Sequence, residues 1–166
     1  MRITSARANR TLPISVSKGV ATPITASTTV ASDPELFLDL LDATVYDVSG
    51  ILFVTTAANA AGDFKYGWAW DGTMTVTLGG VGPDASLASA TSVIGNWARL
   101  APDTSTPSST LSYGSSTSGV TIPVNTRVAV TAAGRLSLQW AQDSSSANAT
   151  TLEAGSFLTA TPVIFN

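Results

Sequence analysis

Residues 65–78 read Lys65-Tyr66-Gly67-Trp68-Ala69-Trp70-Asp71-Gly72-Thr73-Met74-Thr75-Val76-Thr77-Leu78. Successive side chains of a strand point to opposite faces, so this spacing places Tyr66, Trp68 and Trp70 together and Lys65, Gly67 and Ala69 opposite. Asp71-Gly72 is tight-turn chemistry. Beyond it the alternation resumes, with Met74, Val76 and Leu78 on one side and threonines on the other. Period two governs the whole stretch, which predicts a hairpin of two half-buried strands.

The same reading extends in both directions. Val45–Thr56 is β-branched and nearly continuous, as in a strand buried on both faces. Gly79-Gly80 and Gly82-Pro83-Asp84 end the strand begun at Thr73, and residues 83–119 are mostly Ser, Thr, Ala, Gly and Pro, with an apolar segment at Ser92–Leu100. That composition predicts a long loop with one strand embedded in it. Val120–Val124 and Arg127–Val130 resume β patterning. Ala132-Ala133-Gly134 turns the chain, and Leu136, Leu138 and Trp140 define another one-sided strand. Thr150–Leu152 and Leu158–Phe165 supply the last two, and the Thr-rich Ile24–Val30 the first. About eight to ten short strands and no repeat of fixed period predict an all-β fold, two antiparallel sheets packed as a sandwich or jelly roll. One domain, residues 23–166, holds them.

One segment opposes this reading. Ser32 and Glu35 have capping-box spacing, Pro34 suits a first helical turn, and Leu36, Phe37, Leu40 and Leu41 recur near 3.6 residues. The alternating set Leu36, Leu38, Leu40 fits a strand equally well. Local propensity slightly favours the helix.

Charge is sparse and unevenly laid out. Only 11% of the 166 residues are charged and the net charge is −3, against about 25% charged in an ordinary soluble domain. Arg2, Arg7, Arg10 and Lys18 give the first 18 residues +4; the remaining four basic and eleven acidic residues leave −7 for the rest. Pro13 and Pro23 interrupt any regular element there, so residues 1–22 read either as an extended basic arm or as a disordered tail. Four spread charges ahead of an acidic body make a poor nucleic-acid tract. The longest strongly apolar run, Ile51–Val54, is far short of a membrane span. Neither nucleic acid nor membrane is an expected partner.

The chain contains no cysteine and no histidine, which removes disulfides, thiolate and imidazole metal ligands, and Cys–His or Ser–His nucleophilic sites. Lys18 and Lys65 are the only lysines. Glu35, Asp39 and Asp42 lack calcium-loop spacing and read as solvated charges, while Asp63, Asp71 and Asp84 fall at turn positions. Gly79–Gly82 is followed by neither a helix nor a Lys-Ser/Thr pair, so no phosphate cradle is indicated. No enzyme, metal or cofactor is expected. Low charge with 44% hydrophobic residues and a mean hydropathy of +0.27 favours a protein that buries surface against other subunits.

The stretch RLSLQWAQDSSSANATTLEAGS (135–156), followed by Phe157-Leu158 and a final β segment, resembles the small jelly-roll virion proteins of tailed bacteriophages, especially of actinobacterial hosts. Their fold is similar to the TNF/C1q trimeric sandwich. Asp33-Pro34-Glu35-Leu36, Ala43-Thr44-Val45-Tyr46 and Asp63-Phe64-Lys65 agree with it, and the resemblance covers residues 25–166. It implies that the Asp-Pro-x-Leu segment leads into a strand, which assigns Leu36–Leu41 as strand, and it carries no catalytic residues. It also implies a capsid decoration or minor capsid protein, made in the host cytoplasm, that binds the capsid exterior as a homotrimer over the major capsid protein. The alternative is a head-fibre or tail knob binding a host-surface glycan or receptor. On this reading Tyr46, Trp68, Leu136, Leu138, Trp140 and Phe165 are candidates for the core or the trimer interface. Arg2, Arg7, Arg10, Ile14, Val16 and Lys18 are candidates for a capsid-anchoring arm.

Overall fold

Alternation of buried and exposed positions runs through every long strand whose side chains the structure describes. The computed structural model describes residues 12–58, 63–71 and 110–163, together with the backbone path of 76–83 and 97–103. In chain order the strands are β1 (Ile14–Ser17), β2 (Thr22–Ile24), β3 (Ala31–Leu40), β4 (Thr44–Thr56), β5 (Phe64–Trp70), β6 (Val76–Pro83), β7 (Trp97–Asp103), β8 (Leu111–Tyr113), β9 (Val120–Val130), β10 (Gly134–Ala141), β11 (Thr150–Leu152) and β12 (Phe157–Val163). Among the described residues there is no helix. The larger sheet runs β1-β12-β4-β9-β6-β7, with β11 pairing β4 and β2; the smaller runs β3-β10-β5-β8. The pairings are antiparallel, so the chain forms the expected two-sheet sandwich of jelly-roll type.

The core lies between the sheets. The smaller sheet contributes Leu36, Leu38, Leu40, Phe64, Tyr66, Trp68, Leu136, Leu138 and Trp140; the larger contributes Tyr46, Val48, Leu52, Val54, Ile122, Val124, Val128 and Leu158. Aromatic rings concentrate at one end, with Tyr66 stacked on Tyr113 at 5.5 Å and Trp68 edge-on to Tyr66 at 6.2 Å. Burying such large rings supplies the greatest apolar area per residue, which is why the Tyr66–Trp70 stretch dictates the inward face of its sheet.

Several expectations are corrected. β4 is half-buried, with Ser49 and Phe53 exposed: among the described residues no layer covers its outer face. Asp71-Gly72 does not join a hairpin, because β5 pairs with β10 and β8 while β6 pairs with β9 and β7 in the other sheet; the chain crosses between layers there. The first strand is not Ile24–Val30, since β2 ends at Ile24 and the next strand starts at Ala31. The two segments Val120–Val124 and Arg127–Val130 are one strand, β9.

Most consequential is the N-terminus. Ile14–Ser17 pairs residue for residue with Ala160–Phe157, and Ile14 and Val16 pack against the core. The sandwich therefore includes Ile14–Ser17, ahead of residue 23. Alternation in Ile14-Ser15-Val16-Ser17 suffices to complete the edge of β12, and Pro13 only precedes it.

The apparent helix signal at residues 32–36 is a real local turn put to another use. Across β10, Ser137 faces Phe37 while Gln139 faces Ser32, so four residues of β3 oppose the single residue Leu138. In this bulge Asp33, not Ser32, provides the cap: its Oδ1 accepts the amides of Glu35 and Leu36 at 3.0 Å each. Pro34 suits the bulge because it has no amide to satisfy. Beyond Leu36 the strand resumes, and Leu36, Leu38 and Leu40 all face inward.

β4 carries one position where only glycine fits. A Cβ on Gly50 would lie 2.1 Å from the Phe157 carbonyl oxygen on β12, so Gly50→Ala must push two paired backbones apart. The expected loss is about 2 kcal/mol or more in urea unfolding, against less than about 0.5 kcal/mol for the exposed neighbour Ser49→Ala. Equal midpoints for the two variants would show that the close approach is not a constraint.

Candidate functional site

Three features stand out: a buried ionic cluster, a buried amide that pins two loops, and an apolar row on an outer face. The first is built on Lys18, directly after β1. Its backbone is held by two bonds to the β11–β12 turn: Lys18 N donates to Ser156 O and Gly155 N donates to Lys18 O, both at 2.8 Å. The side chain is thereby aimed inward, where Nζ meets Asp33 Oδ2 at 2.7 Å with both side chains fully buried. Glu35 Oε2 lies 3.4 Å from the same Nζ. Trp140 Nε1 donates to Asp33 Oδ2 at 3.3 Å. Glu35 also accepts the amides of Gly19 and Val20 at 2.9 and 3.3 Å. A buried ion pair is retained at low cost only when its remaining lone pairs are satisfied; here donors from β3, β10 and the segment after β1 do so.

The second feature is Gln142, fully buried after β10. Its Oε1 accepts the amides of Ser27 and Ser146, and its Nε2 donates to Asn148 O at 2.7 Å. One side chain thus fixes the β2–β3 loop against the β10–β11 loop, which also bond directly through Ala26 N and Ser146 O at 2.7 Å.

The third feature lies outside the core. Phe157, Ile51 and Pro123 stand opposite one another across β12, β4 and β9, and Phe53, two positions along β4 on the same face, is 37% exposed. The outer face of the smaller sheet differs: the Arg135 guanidinium sits 3.9 Å over the Phe37 ring and binds Asp39 through two nitrogens. Small side chains, Ser137, Ala69 and Gly67, fill the middle of that face.

The sequence-derived candidates separate cleanly. Tyr46, Trp68, Leu136, Leu138 and Trp140 are core, each at most 2% exposed, leaving no surface of theirs for a sister chain. Phe165 lies outside the described residues, as do Arg2, Arg7 and Arg10. Ile14, Val16 and Lys18 are corrected: they belong to the sandwich edge and its buried ion pair, and an arm free to reach another protein cannot include them. Glu35 and Asp39, read as solvated charges, serve separate cations, Lys18 and Arg135. Asp63 and Asp71, expected to bond their own turns, instead accept the amides of distant Ser115 and Arg135. Sequence reasoning missed the outer row, because the run Ile51–Val54 is apolar on both parities and carries no sign of which face is open. Among the described residues, no group of three or more His, Cys, Asp or Glu is placed to hold a metal ion, and no helix is long and apolar enough to cross a membrane.

No protein-family model and no curated protein matches the chain. Among solved structures it aligns over 93% of its length with the infectious bursal disease virus VP2 subviral particle, at 6% identity and a TM-score of 0.23. It aligns over 92% of its length with the same virus's Gt strain, at 8% identity and the same TM-score. The chain spans about two fifths of those chains, 42% and 41%.

Two carboxylates set the response to acid. Amide donation, first from Gly19, holds Glu35 below the usual carboxylate range, and the Arg127 guanidinium does the same for Asp47. A carboxyl depressed in the folded state stabilises fully above its unfolded pKa, near 4, and that contribution disappears as pH falls through the folded value. Urea midpoints should be level from about pH 7 to 5 as far as these groups are concerned and decline below about 4. Glu35→Gln should flatten the decline. An unchanged acid slope in that variant would remove Glu35 from the account.

Proposed function

We propose that the protein is a structural component of a virion: a capsid decoration, or minor capsid, protein of a tailed bacteriophage. It binds the capsid exterior as a homotrimer and clamps neighbouring copies of the major capsid protein. The observation that carries this reading is the outer row Phe157–Ile51–Pro123 with exposed Phe53, on a chain that is only 11% charged. An aligned aromatic and aliphatic row on a rigid sheet favours burial against another subunit, and the occupant assigned to it is a sister chain. Elsewhere the described surface includes hydroxyls and exposed ion pairs, which suit many weak contacts repeated over a shell. The resemblance of residues 135–156 to phage jelly-roll proteins supplies the virion context. In this reading Arg2, Arg7 and Arg10 form the basic segment drawn to an acidic patch of the capsid.

Two measurements test this. Light scattering at micromolar concentration should give three times the 16.9 kDa chain mass, and Phe53→Asp should give folded monomer, because a charge cannot be buried at that contact without a partner. Undecorated capsids should bind the wild-type protein at many sites per particle. A wild-type monomer contradicts the trimer. Binding to bare host cells with no affinity for capsids contradicts decoration and favours a fibre or tail knob.

A further inference from the structure

The Lys18 cluster holds every group needed for a covalent reaction within the chain. Nζ and the Asp33 carboxyl are both fully buried and 2.7 Å apart. Burial away from water penalises two charges, so an uncharged amide in their place is favoured. Asp33 Oδ1 lies between two backbone amides, those of Glu35 and Leu36, at 3.0 Å each. That is the arrangement that stabilises negative charge developing on a carbonyl oxygen under attack. A second carboxylate, Glu35, stands 3.4 Å from Nζ and is partly open to solvent. Trp140 Nε1 holds the other oxygen, Oδ2, at 3.3 Å.

We propose that Lys18 and Asp33 condense to an intramolecular isopeptide bond, with Glu35 as the proton carrier. The step balances without any added reagent. The ammonium gives one proton to Asp33 Oδ2, and the amine lone pair attacks Asp33 Cγ. Charge gathers on Oδ1 against the two amides. Glu35 takes a second proton from nitrogen and returns it to Oδ2, whose bond to Cγ breaks so that it departs as water. Nitrogen keeps one hydrogen, Glu35 is regenerated, and –NH3+ plus –COO− has become –NH–CO– plus H2O. Nothing is oxidised or reduced. The product ties the end of β1 to the β3 bulge, closing the segment between residues 18 and 33. This inference is independent of the proposed virion role.

The test is the intact mass of the folded wild-type chain, followed by tryptic digestion after denaturation. Lys18 is the only basic residue between Arg10 and Lys65, so a cross-linked chain yields one fragment, 11–65, uncut at Lys18 and lighter by one water. Loss of water through a succinimide at Asp33 is impossible, since Pro34 has no amide hydrogen with which to close the ring, and fragmentation places the bridge. Lys18→Arg keeps the positive charge but cannot condense, so it should show full mass. Glu35→Gln, which keeps the shape of the carrier without its basicity, should show full mass or a strongly slowed loss of water. Full wild-type mass with ready cleavage at Lys18, after days in the folded state, overturns the proposal. A bridge that forms equally fast in Glu35→Gln overturns the role of Glu35.

Discussion

The Asp33 carboxylate is the point on which three parts of the structure converge. One oxygen shapes the β3 bulge by accepting the amides of Glu35 and Leu36; the other receives Lys18 and Trp140. The bulge sets the register in which Leu36, Leu38 and Leu40 face inward. Lys18 ties the end of β1 to the β11–β12 turn, and Trp140 stands near the end of β10, between β3 and β5. Without the lysine, Asp33 would be a buried charge with only neutral donors, a loss of several kcal/mol in comparable sites. Without the aspartate, the lysine would have only the half-exposed Glu35. Each half of the pair is tolerable because the other is present.

Closing the β12 edge has a consequence for solubility. A bare strand edge invites pairing with other chains, and the β12 side away from β4 is covered by Ile14–Ser17. Among the described residues the larger sheet also presents an apolar face, the row across β12, β4 and β9. Contact through side chains on a rigid face specifies one partner geometry, whereas contact through an open edge would accept many.

Much of the fold was legible in the sequence where side-chain size and parity agree. Tyr66, Trp68 and Trp70, or Leu136, Leu138 and Trp140, can be buried together only on one strand face. The sequence was misleading where a local signal has two structural uses. Asp33-Pro34-Glu35 is good chemistry for capping a turn, and nothing local distinguishes a helix start from a bulge; the pairing with β10 decides. Asp71-Gly72 similarly permits a tight turn, but which sheet receives the next strand depends on free edges elsewhere. Lys18 was misassigned for the same reason. As one of four basic residues in a sparse segment it looked like arm charge, and its partner fifteen residues away becomes visible only when both sheets are in place. The outer row was illegible because Ile51–Val54 is apolar on both parities.

The segment from Ile14 to Lys18 is part of the cooperative core, secured through Lys18 and Asp33. Native-state hydrogen exchange reads this directly, since amides released only by global unfolding share its free energy. The amides of Lys18, Gly155, Glu35 and Leu36 should exchange with the slowest core class, alongside those of β4 and β10. Exchange of Lys18 and Gly155 at rates typical of exposed loops, while β4 stays protected, would contradict it and return the N-terminal segment to the status of an arm.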